Sequence, residues 1–286
     1  MIAKVAKSRN PASPAAGPAR SARATDDPVD GEETGTKDRQ FVTALARGLQ
    51  VLSCFSAETP ELSGSQLAKM TGLPQPTVWR LCHTMLQLGM LITTSGDRMR
   101  PGLPVLRLGH SALAKLDPVE LARPHMQDLA DRFRAACGLA QRHDLRMVML
   151  ERCHGDNSLL TNLRRGSVVH IANSGLGWAY LAGISDAERE AVFTDLERND
   201  AELWKASRKQ FLGAFAEYRE RGFIVNSAVF HPDYHTVAVP VYDRHGRFTY
   251  GLNCGAPIST LPAQTLRKEI APKLVALADM LQSALD

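Results

Sequence analysis

Apolar residues in the first third of the chain recur at helical intervals in three short segments. The spacing predicts helices over 41–55 and 64–70, and a third that follows a turn over 73–76 and runs to Leu88. The third helix is expected to stop where Gly89 follows it, because glycine readily adopts the left-handed backbone that ends helices. Two short extended stretches around a Gly-containing turn then predict a hairpin over 91–100. Three helices and a hairpin in this order are typical of a small helical domain with a β-wing.

The rest of the chain contains segments with helical periodicity and segments with a β-like pattern. The pattern predicts a linker helix over 103–116 and a longer helix from Pro118 to about Ala136. Beyond Leu139, β-like runs alternate with helical runs. The predicted strands cover 147–150, 223–229, 237–242 and 248–253, and the predicted helices cover 174–183, 186–194, 206–221 and 264–285. A second domain that combines strands and helices is therefore expected behind the first.

Composition places the chain among ordinary globular proteins. It has 286 residues, of which 44% are hydrophobic and 22% charged, enough for two domains that each bury a core. The net charge of +4 is compatible with a nucleic-acid partner without requiring one. The five cysteines are scattered without CxxC spacing, which favours neither a disulfide framework nor a zinc cluster. With neither a membrane-length apolar run nor a signal-peptide pattern, the prediction is a cytoplasmic protein.

Residues 1–36 differ in composition from everything that follows. They are rich in Ala, Pro, Ser and Gly, with basic residues first and acidic residues later. Such a segment buries too little apolar surface to offset its ordering entropy, so we expect a disordered tail. The basic, acid-poor opening also resembles an organellar transit peptide, but a solvated tail is the preferred interpretation.

The helix over 75–88 separates its side chains into an apolar stripe and a polar side, as the recognition helix of a winged helix-turn-helix must. Gln75 and Thr77 are expected at base edges, whereas Arg80 and His83 suit phosphates. Two arginines on one face of the hairpin suit a wing on the DNA backbone or minor groove. The predicted DNA-binding residues are Gln75, Pro76, Thr77, Trp79, Arg80, His83, Arg98 and Arg100. A solvated helix face beside a charged hairpin would have the same composition.

A series of short motifs at characteristic separations over residues 40–285 resembles the IclR family of transcriptional regulators. The motifs are Leu62-Ser63, Gln66-Leu67-Ala68, Thr71-Gly72-Leu73-Pro74, Thr77-Val78, Arg80-Leu81, Leu106-Arg107-Leu108-Gly109, Ala122-Arg123-Pro124, Gly166-Ser167, Leu181-Ala182, Arg221-Gly222-Phe223 and Ala238-Val239-Pro240-Val241. No single motif is decisive, and the specificity of the resemblance lies in their order.

The resemblance implies an α+β protein with an N-terminal winged helix-turn-helix, a linker helix and a C-terminal GAF-like α/β effector-binding domain. On this basis the tail covers 1–36, the DNA-binding domain 37–102, the linker helix 103–117 and the effector domain 118–286. It also implies a homodimer or homotetramer that binds paired sites on double-stranded operator DNA. Members respond to a small organic acid or aromatic metabolite, and no cofactor is expected.

Ser174 is placed to cap the helix over 174–183, and a helix N-terminus suits a carboxylate. We therefore expect a monoanionic effector whose carboxylate lies at this helix end without a dedicated Lys or Arg. Its apolar body would lie against Trp178 and a strand over 237–241, although Trp178 is equally suited to the core. The predicted effector-binding residues are Asn173, Ser174, Gly175, Leu176, Trp178, Thr236, Val237 and Val239.

Several positions depart from the family pattern. Ala172 replaces a frequent His, Trp178 a common Lys, Ala228 and Val229 the usual acidic pair, and Thr236 a frequent Cys. The implied pocket is more apolar and less acidic than in other members. It favours an aromatic or acyl body with a single polar head.

Metal and enzyme interpretations have less support. His231 and His235 are four residues apart around Asp233, but Pro232 argues against the helix that would bring the two imidazoles together. A loop site that uses His231, Asp233 and His235 is the alternative, but solvated or hydrogen-bonded histidines are preferred, so no metal site is predicted. GxSxG, HExxH and P-loop motifs are absent from the sequence, so no enzymatic activity is predicted. The alternative is a small-molecule-binding protein or enzyme whose N-terminal domain serves only assembly. DNA retention that depends on Arg80 would separate the two.

Overall fold

A computed structural model of the chain describes residues 40–113, 117–156, 162–242 and 249–285. The predicted tail over 1–36 and the end of the predicted linker at 114–116 lie outside these ranges. Among the described helices, none has the length and apolar character that a membrane span requires.

Three helices and a small antiparallel sheet form the N-terminal part, which confirms the predicted pattern. The elements are α1 (Thr43–Leu52), β1 (Leu62–Ser63), α2 (Gly64–Thr71), α3 (Gln75–Gln87), β2 (Leu91–Thr93) and β3 (Arg98–Pro101). The strand order is β1-β3-β2, so β3 lies between the two others. The sequence did not predict β1, because a two-residue strand is too short to show a period.

Local side-chain chemistry sets the ends of these helices. The Ser63 hydroxyl accepts a hydrogen bond from the Gln66 N–H at 3.3 Å, and the Gln66 amide oxygen accepts one from the Ser63 N–H at 2.9 Å. This capping box starts α2. Pro76 lies in the first turn of α3, where its missing N–H costs nothing. Gly72 and Gly89, with φ of +69° and +68°, follow α2 and α3 in the left-handed conformation that ends helices.

A compact apolar core holds this part together. It contains the buried side chains of Val51, Leu62, Leu67, Val78, Cys82, Met85, Leu91 and Met99. The predicted apolar stripe of α3 contributes three of them and packs its polar side outward. The β2–β3 wing joins the same core through Met99 of β3.

A six-stranded antiparallel sheet is the centre of the C-terminal part. After α4 (Leu103–Leu113), the elements are α5 (Asp117–Phe133), β4 (Ala136–His143), β5 (Arg146–His154), β6 (Val168–His170), α6 (Gly175–Gly183), α7 (Asp186–Asn199), α8 (Ala201–Arg221), β7 (Ile224–Ser227), β8 (Tyr234–Tyr242), β9 (Thr249–Pro257), α9 (Ala263–Thr265), a π-helical turn (Leu266–Ile270) and α10 (Ala271–Ala284). The strand order is β6-β5-β4-β9-β8-β7.

Helices cover both faces of this sheet. One face packs against α6 and an aromatic cluster that includes Trp204 and Phe211 of α8. The other face packs against α5 and α10 through residues such as Val239 and Leu274. A sheet buried on both faces needs apolar side chains in both directions along each strand.

This double burial explains the late start of one predicted strand. All but the last residue of β8 are buried, so no apolar–polar alternation marked its start, which lies three residues before the predicted Val237. The strands β4 and β6 were not predicted at all. The predicted helix to Ala136 ends instead at Phe133, where Arg134 adopts a φ of +50°.

Candidate nucleic-acid interface and effector cavity

The outer side of α3 presents an exposed polar surface without an acidic residue. Pro76, Arg80 and His83 are all exposed, opposite the buried stripe of the same helix. From Gly64 to Gln87 the sequence contains no Asp or Glu. The helix therefore offers cations and hydrogen-bond donors to a phosphate backbone from a stretch without carboxylates, and Asp97 of the wing lines the groove beside it.

Gln75 and Thr77 lie on different sides of the first turn of α3. Gln75 is exposed and lines a groove of about 430 Å³ that also involves the start of α2 and the wing. Thr77 is half-buried and lines a second cavity, of about 600 Å³, between α3 and α1. Gln75 is thus the more accessible of the two predicted base-reading side chains.

An exposed aromatic pair lies on the same helix. The ring of Trp79 stacks on His83, with centroids 5.4 Å apart and planes within 13°. Trp79 is 66% exposed, which is unusual for a large apolar side chain and typical of a binding surface.

The two predicted wing arginines are exposed on β3 and flank the buried Met99, as strand alternation requires. Arg98 donates from Nη1 to the Glu61 carbonyl oxygen at 3.3 Å. Arg100 lies beside a cavity of about 970 Å³ that is also lined by α4 and the β4–β5 hairpin. The two side chains therefore have different surroundings although they share a face.

A small cavity lies where the start of α6 meets the sheet. Its volume of about 20 Å³ is room for roughly one water molecule. The lining residues are Met149, Arg152, Leu163, Val169, Ser174, Gly175, Leu176, Phe230, Tyr234, Thr236 and Asn253. Four of the predicted effector-binding residues are among them, namely Ser174, Gly175, Leu176 and Thr236.

The start of α6 packs directly on the sheet. The Ser174 hydroxyl accepts from the Gly177 N–H at 3.1 Å and donates to the His170 carbonyl oxygen at 2.6 Å, which makes it the predicted N-cap. A Cβ atom on Gly175 would lie 2.3 Å from Thr236 Oγ1, so only glycine permits this approach. Gly175 and Leu176, the first two residues of α6, line the cavity, and the first N–H groups of a helix have no partner within the helix.

Two other predicted residues near this helix do not line the cavity. Trp178 is 1% exposed, donates from Nε1 to the Ala172 carbonyl oxygen at 2.7 Å and packs edge-on against Phe211. It belongs to the aromatic core, so its predicted contact with an effector is not supported. The backbone carbonyl of Asn173 accepts from Asn226 Nδ2 at 3.0 Å, and its own amide oxygen is buried without a partner.

Val237 and Val239 lie on the opposite face of the sheet from the cavity. They pack in the core formed with α5 and α10, whereas Thr236 faces α6. Because successive strand residues point to opposite faces, Thr236 and its neighbour Val237 cannot both line one cavity. The prediction of an effector contact for these two valines is wrong for this reason.

The structure adds an arginine that the sequence interpretation excluded. Arg152 on β5 lines the cavity together with Met149, although the two are three positions apart. The β4–β5 pairing skips Leu150, because Leu139 pairs with Glu151 and Ala140 with Met149. This β-bulge rotates the strand by one residue and brings Arg152 to the cavity face. Sequence periodicity does not reveal a bulge, so nothing in the sequence indicated a basic side chain at this cavity.

Polar atoms without partners surround the cavity. Arg152 Nε and Nη2, Thr236 Oγ1 and Asn253 Oδ1 are all buried and make no hydrogen bond with the residues that the structure describes. The hydroxyl of Tyr234 donates to the Gly255 carbonyl oxygen at 2.6 Å, and burial raises the pKa of this tyrosine to about 12. Buried polar groups without partners are rare and costly in folded proteins. Their concentration here is typical of a polar ligand site.

Next to Arg152 along the strand, Glu151 forms a buried ionic cluster. Its carboxylate pairs with Arg165 and lies 3.6 Å from Arg123 Nε. Burial raises the pKa of the Glu151 carboxyl, but the hydrogen bonds from Arg165 and from the Arg152 N–H, with the charges of Arg165 and Arg123, outweigh it. The net pKa lies below its ordinary value of 4.5. The cluster anchors the segment that carries Leu163 at the cavity.

Replacing Glu151 by glutamine is expected to destabilise the protein at neutral pH by about 1–2 kcal/mol, a figure reduced because both arginines are partly exposed. A carboxyl with a lowered folded-state pKa contributes stability that is fully present above its unfolded pKa and is lost as pH falls through the folded one. The difference in melting temperature between wild type and Glu151→Gln should therefore shrink below pH 4.5. The exposed Glu190→Gln is the control. A Glu151→Gln difference that stayed constant with pH would contradict the ionic role.

Comparison with known proteins identifies the two parts of the chain separately. The model of the IclR helix-turn-helix domain matches residues 44–94. The model described as the bacterial transcriptional regulator IclR C-terminal domain matches residues 110–283. The first match contains α3, and the second contains the whole six-stranded sheet.

Individual relatives are similar to this chain over most of their length. The HTH-type transcriptional regulator TsaQ1/TsaQ2 of Comamonas testosteroni is 31% identical over 255 residues, covering 88% of this chain and 90% of its own. A crystal structure of an IclR family transcriptional regulator from Brucella abortus has a TM-score of 0.79 at 34% identity, covering 90% and 97% of the two chains. An IclR homolog from Microbacterium hydrocarbonoxydans, solved in complex with 4-hydroxybenzoate, has a TM-score of 0.68 at 20% identity, covering 85% and 98%.

These matches confirm the resemblance in the sequence and the α+β fold with an N-terminal helix-turn-helix and a C-terminal GAF-like domain. The chain belongs to the IclR family of bacterial transcriptional regulators.

Proposed function

We propose that this regulator reads operator DNA with α3 and the β2–β3 wing, and that a small organic acid in the cavity at the start of α6 controls this binding. The observation that carries the DNA half is the exposed outer side of α3, which offers Arg80, His83 and Trp79 from a stretch of chain, 64–87, that contains no Asp or Glu. The predicted limits of the domains and the cytoplasmic location stay predictions that follow from this function.

Within the interface, the side chains divide into positioning and reading roles. Arg80 lies on the exposed side one turn into α3, where it would neutralise a phosphate. Gln75 is exposed in the first turn, where recognition helices meet base edges, and its amide can bond adenine with two hydrogen bonds. Arg98 and Arg100 of the wing would contact the adjacent backbone or minor groove.

The effector half rests on the polar atoms around the cavity. Four buried atoms there need partners, and the start of α6 adds N–H groups. The Microbacterium homolog binds 4-hydroxybenzoate, which supports an organic acid as the ligand class. Because the cavity has a volume of only about 20 Å³, binding of an organic acid requires part of the cavity lining to move outward.

A second copy of the chain is the partner that the exposed leucines favour. Leu45 and Leu49 on α1, and Leu103, Leu106 and Leu108 on α4, are all more than half exposed. Apolar surface of this extent suits an interface, and two recognition helices are needed to read paired half-sites. We therefore assign these leucines to a homodimer interface, which sedimentation of the Leu45→Glu/Leu106→Glu variant would test. A variant that still sedimented as the wild-type oligomer would contradict this assignment.

Arg80→Ala is expected to weaken binding to every DNA sequence and to lower the slope of log affinity against log salt by about 0.9, because one phosphate contact is lost. Gln75→Ala should instead change sequence preference, at about 1–3 kcal/mol for its base pair. Fluorescence anisotropy with an operator found by genomic footprinting measures both. Arg132→Ala, on α5 and paired with Asp128, is the control.

The rival function, in which the N-terminal domain serves only assembly, predicts the opposite result. In that case Arg80→Ala and Arg132→Ala would bind DNA equally well with the same salt slope. A uniform loss of affinity in Gln75→Ala would argue against base reading by this residue while leaving DNA binding intact.

A further inference from the structure

The guanidinium of Arg152 presents one complete edge to the cavity without a partner. Within the described part of the chain its Nε and Nη2 atoms are buried and have no hydrogen-bond partner, although the guanidinium is close enough to the Tyr234 hydroxyl to lower the pKa of that tyrosine against the larger effect of burial. The N–H bonds of these two atoms point the same way, and together they form the fork that accepts both oxygens of a carboxylate. The unsatisfied atoms are thus a geometric match for one functional group.

No acidic side chain is available to this fork among the described residues that line the cavity. The adjacent Glu151 is engaged with Arg165 and Arg123 and accepts a hydrogen bond from the Arg152 backbone N–H. A buried cation without a counter-ion is unfavourable, so an arginine in this position favours binding of an anion from outside.

The neighbouring polar atoms specify more of the ligand. Thr236 Oγ1 is buried and unpartnered, and its hydroxyl can donate to a carboxylate oxygen. Asn253 Oδ1 is buried and unpartnered too, but it is an acceptor and needs a donor. The remaining lining is mostly apolar, with Met149, Leu163 and Phe230.

We propose that Arg152 is the residue that binds the effector carboxylate, side-on through Nε and Nη2, and that the effector is a small carboxylic acid with an apolar body and a hydroxyl donor. This inference rests on the proposed function, which makes the cavity the effector site. The anion site then includes Arg152 rather than the N-terminal end of α6 alone, because Arg152 supplies a full positive charge at the same cavity.

The first test needs no ligand. Arg152→Met keeps an unbranched side chain as far as the position of Nε and removes an uncompensated cation. Its melting temperature in a buffer without carboxylic acids should therefore equal or exceed that of wild type. Arg165→Met is the matched control and should melt lower, because Arg165 is paired with Glu151. A melting temperature of Arg152→Met as far below wild type as that of Arg165→Met would overturn the proposal, since Arg152 would then be satisfied within the protein.

The second test uses acetate, benzoate and 4-hydroxybenzoate, each beside its neutral amide, with the full chain at constant ionic strength. At least one acid should raise the melting temperature of wild type more than its amide does. The apparent affinity for that acid should fall by about 10- to 100-fold in Arg152→Met and Arg152→Gln. Arg152→Lys should recover only part of it, because an ammonium lacks the fork. The role of Arg152 would be refuted if an acid raised the melting temperatures of wild type and Arg152→Met equally. It would also be refuted if none of the three acids raised the melting temperature of wild type more than its amide does.

A measurement of operator binding distinguishes a failure of this proposal from a failure of the proposed function on which it rests. An acid that binds through Arg152 but leaves operator affinity unchanged supports the role of Arg152 and removes the effector half of the proposed function. An acid that alters operator affinity equally in wild type and Arg152→Met supports effector control and removes Arg152 from the site.

Discussion

Replacing Trp178 by alanine is expected to lower the free energy of unfolding by about 3–5 kcal/mol, the usual cost of truncating a buried aromatic side chain. The indole is 1% exposed and packs edge-on against Phe211. Its Nε1 donates to the Ala172 carbonyl oxygen, so the variant also leaves a buried acceptor without its partner. Denaturant unfolding followed by circular dichroism measures the loss.

A second tryptophan provides the control. Trp79 is 66% exposed on α3, so Trp79→Ala should change stability by no more than about 0.5 kcal/mol. The same variant should weaken operator binding, because the stacked Trp79–His83 pair lies on the proposed DNA surface. If Trp178→Ala were as stable as Trp79→Ala, the indole would have to lie in an adaptable pocket rather than in the core.

Leu67→Ala is expected to cost about 2–5 kcal/mol and to abolish operator binding. Leu67 is 0% exposed at the centre of the N-terminal core, which has few other buried side chains to compensate. The space left by the truncated side chain loosens the packing of α2 against α3. As a result, α3 no longer holds its outer side in one orientation. Thermal unfolding and fluorescence anisotropy with operator DNA give the two readouts.

Met70 on the same helix supplies the comparison. It is 53% exposed, so Met70→Ala should stay within about 0.5 kcal/mol of wild type and keep its DNA affinity. Full operator binding by Leu67→Ala under native conditions would show that the core tolerates the cavity and would contradict the predicted coupling between packing and DNA recognition.

The N-terminal part was predictable because its signals are local. The Ser63 cap, the proline in the first turn of α3 and the glycines after α2 and α3 act within four residues of the backbone that they shape. The apolar stripe of α3 marks its outer side directly. Sequence therefore indicated which residues are exposed, although not the stacking of Trp79 on His83 or the turn of Thr77 toward α1.

The cavity at the start of α6 was predictable only in part, because its geometry depends on strand pairing. Ser174, Gly175 and Thr236 line it as a group, and the cap of α6 accounts for the first two. Val237 was placed on the wrong face, since a strand buried on both sides shows no alternation. Arg152 was missed because a bulge sets its direction, and a bulge depends on the partner strand.

The sequence by itself determined the family, the winged helix-turn-helix, the position of α3 and the caps that start its helices. These follow from short-range hydrogen bonding and from helical periodicity, which are properties of contiguous residues. Only the tertiary structure decided that Trp178 belongs to the core and that Arg152 faces the cavity with an unpartnered edge. Both depend on contacts between segments far apart in the chain, and neither composition nor spacing encodes which face of a doubly covered sheet a residue occupies.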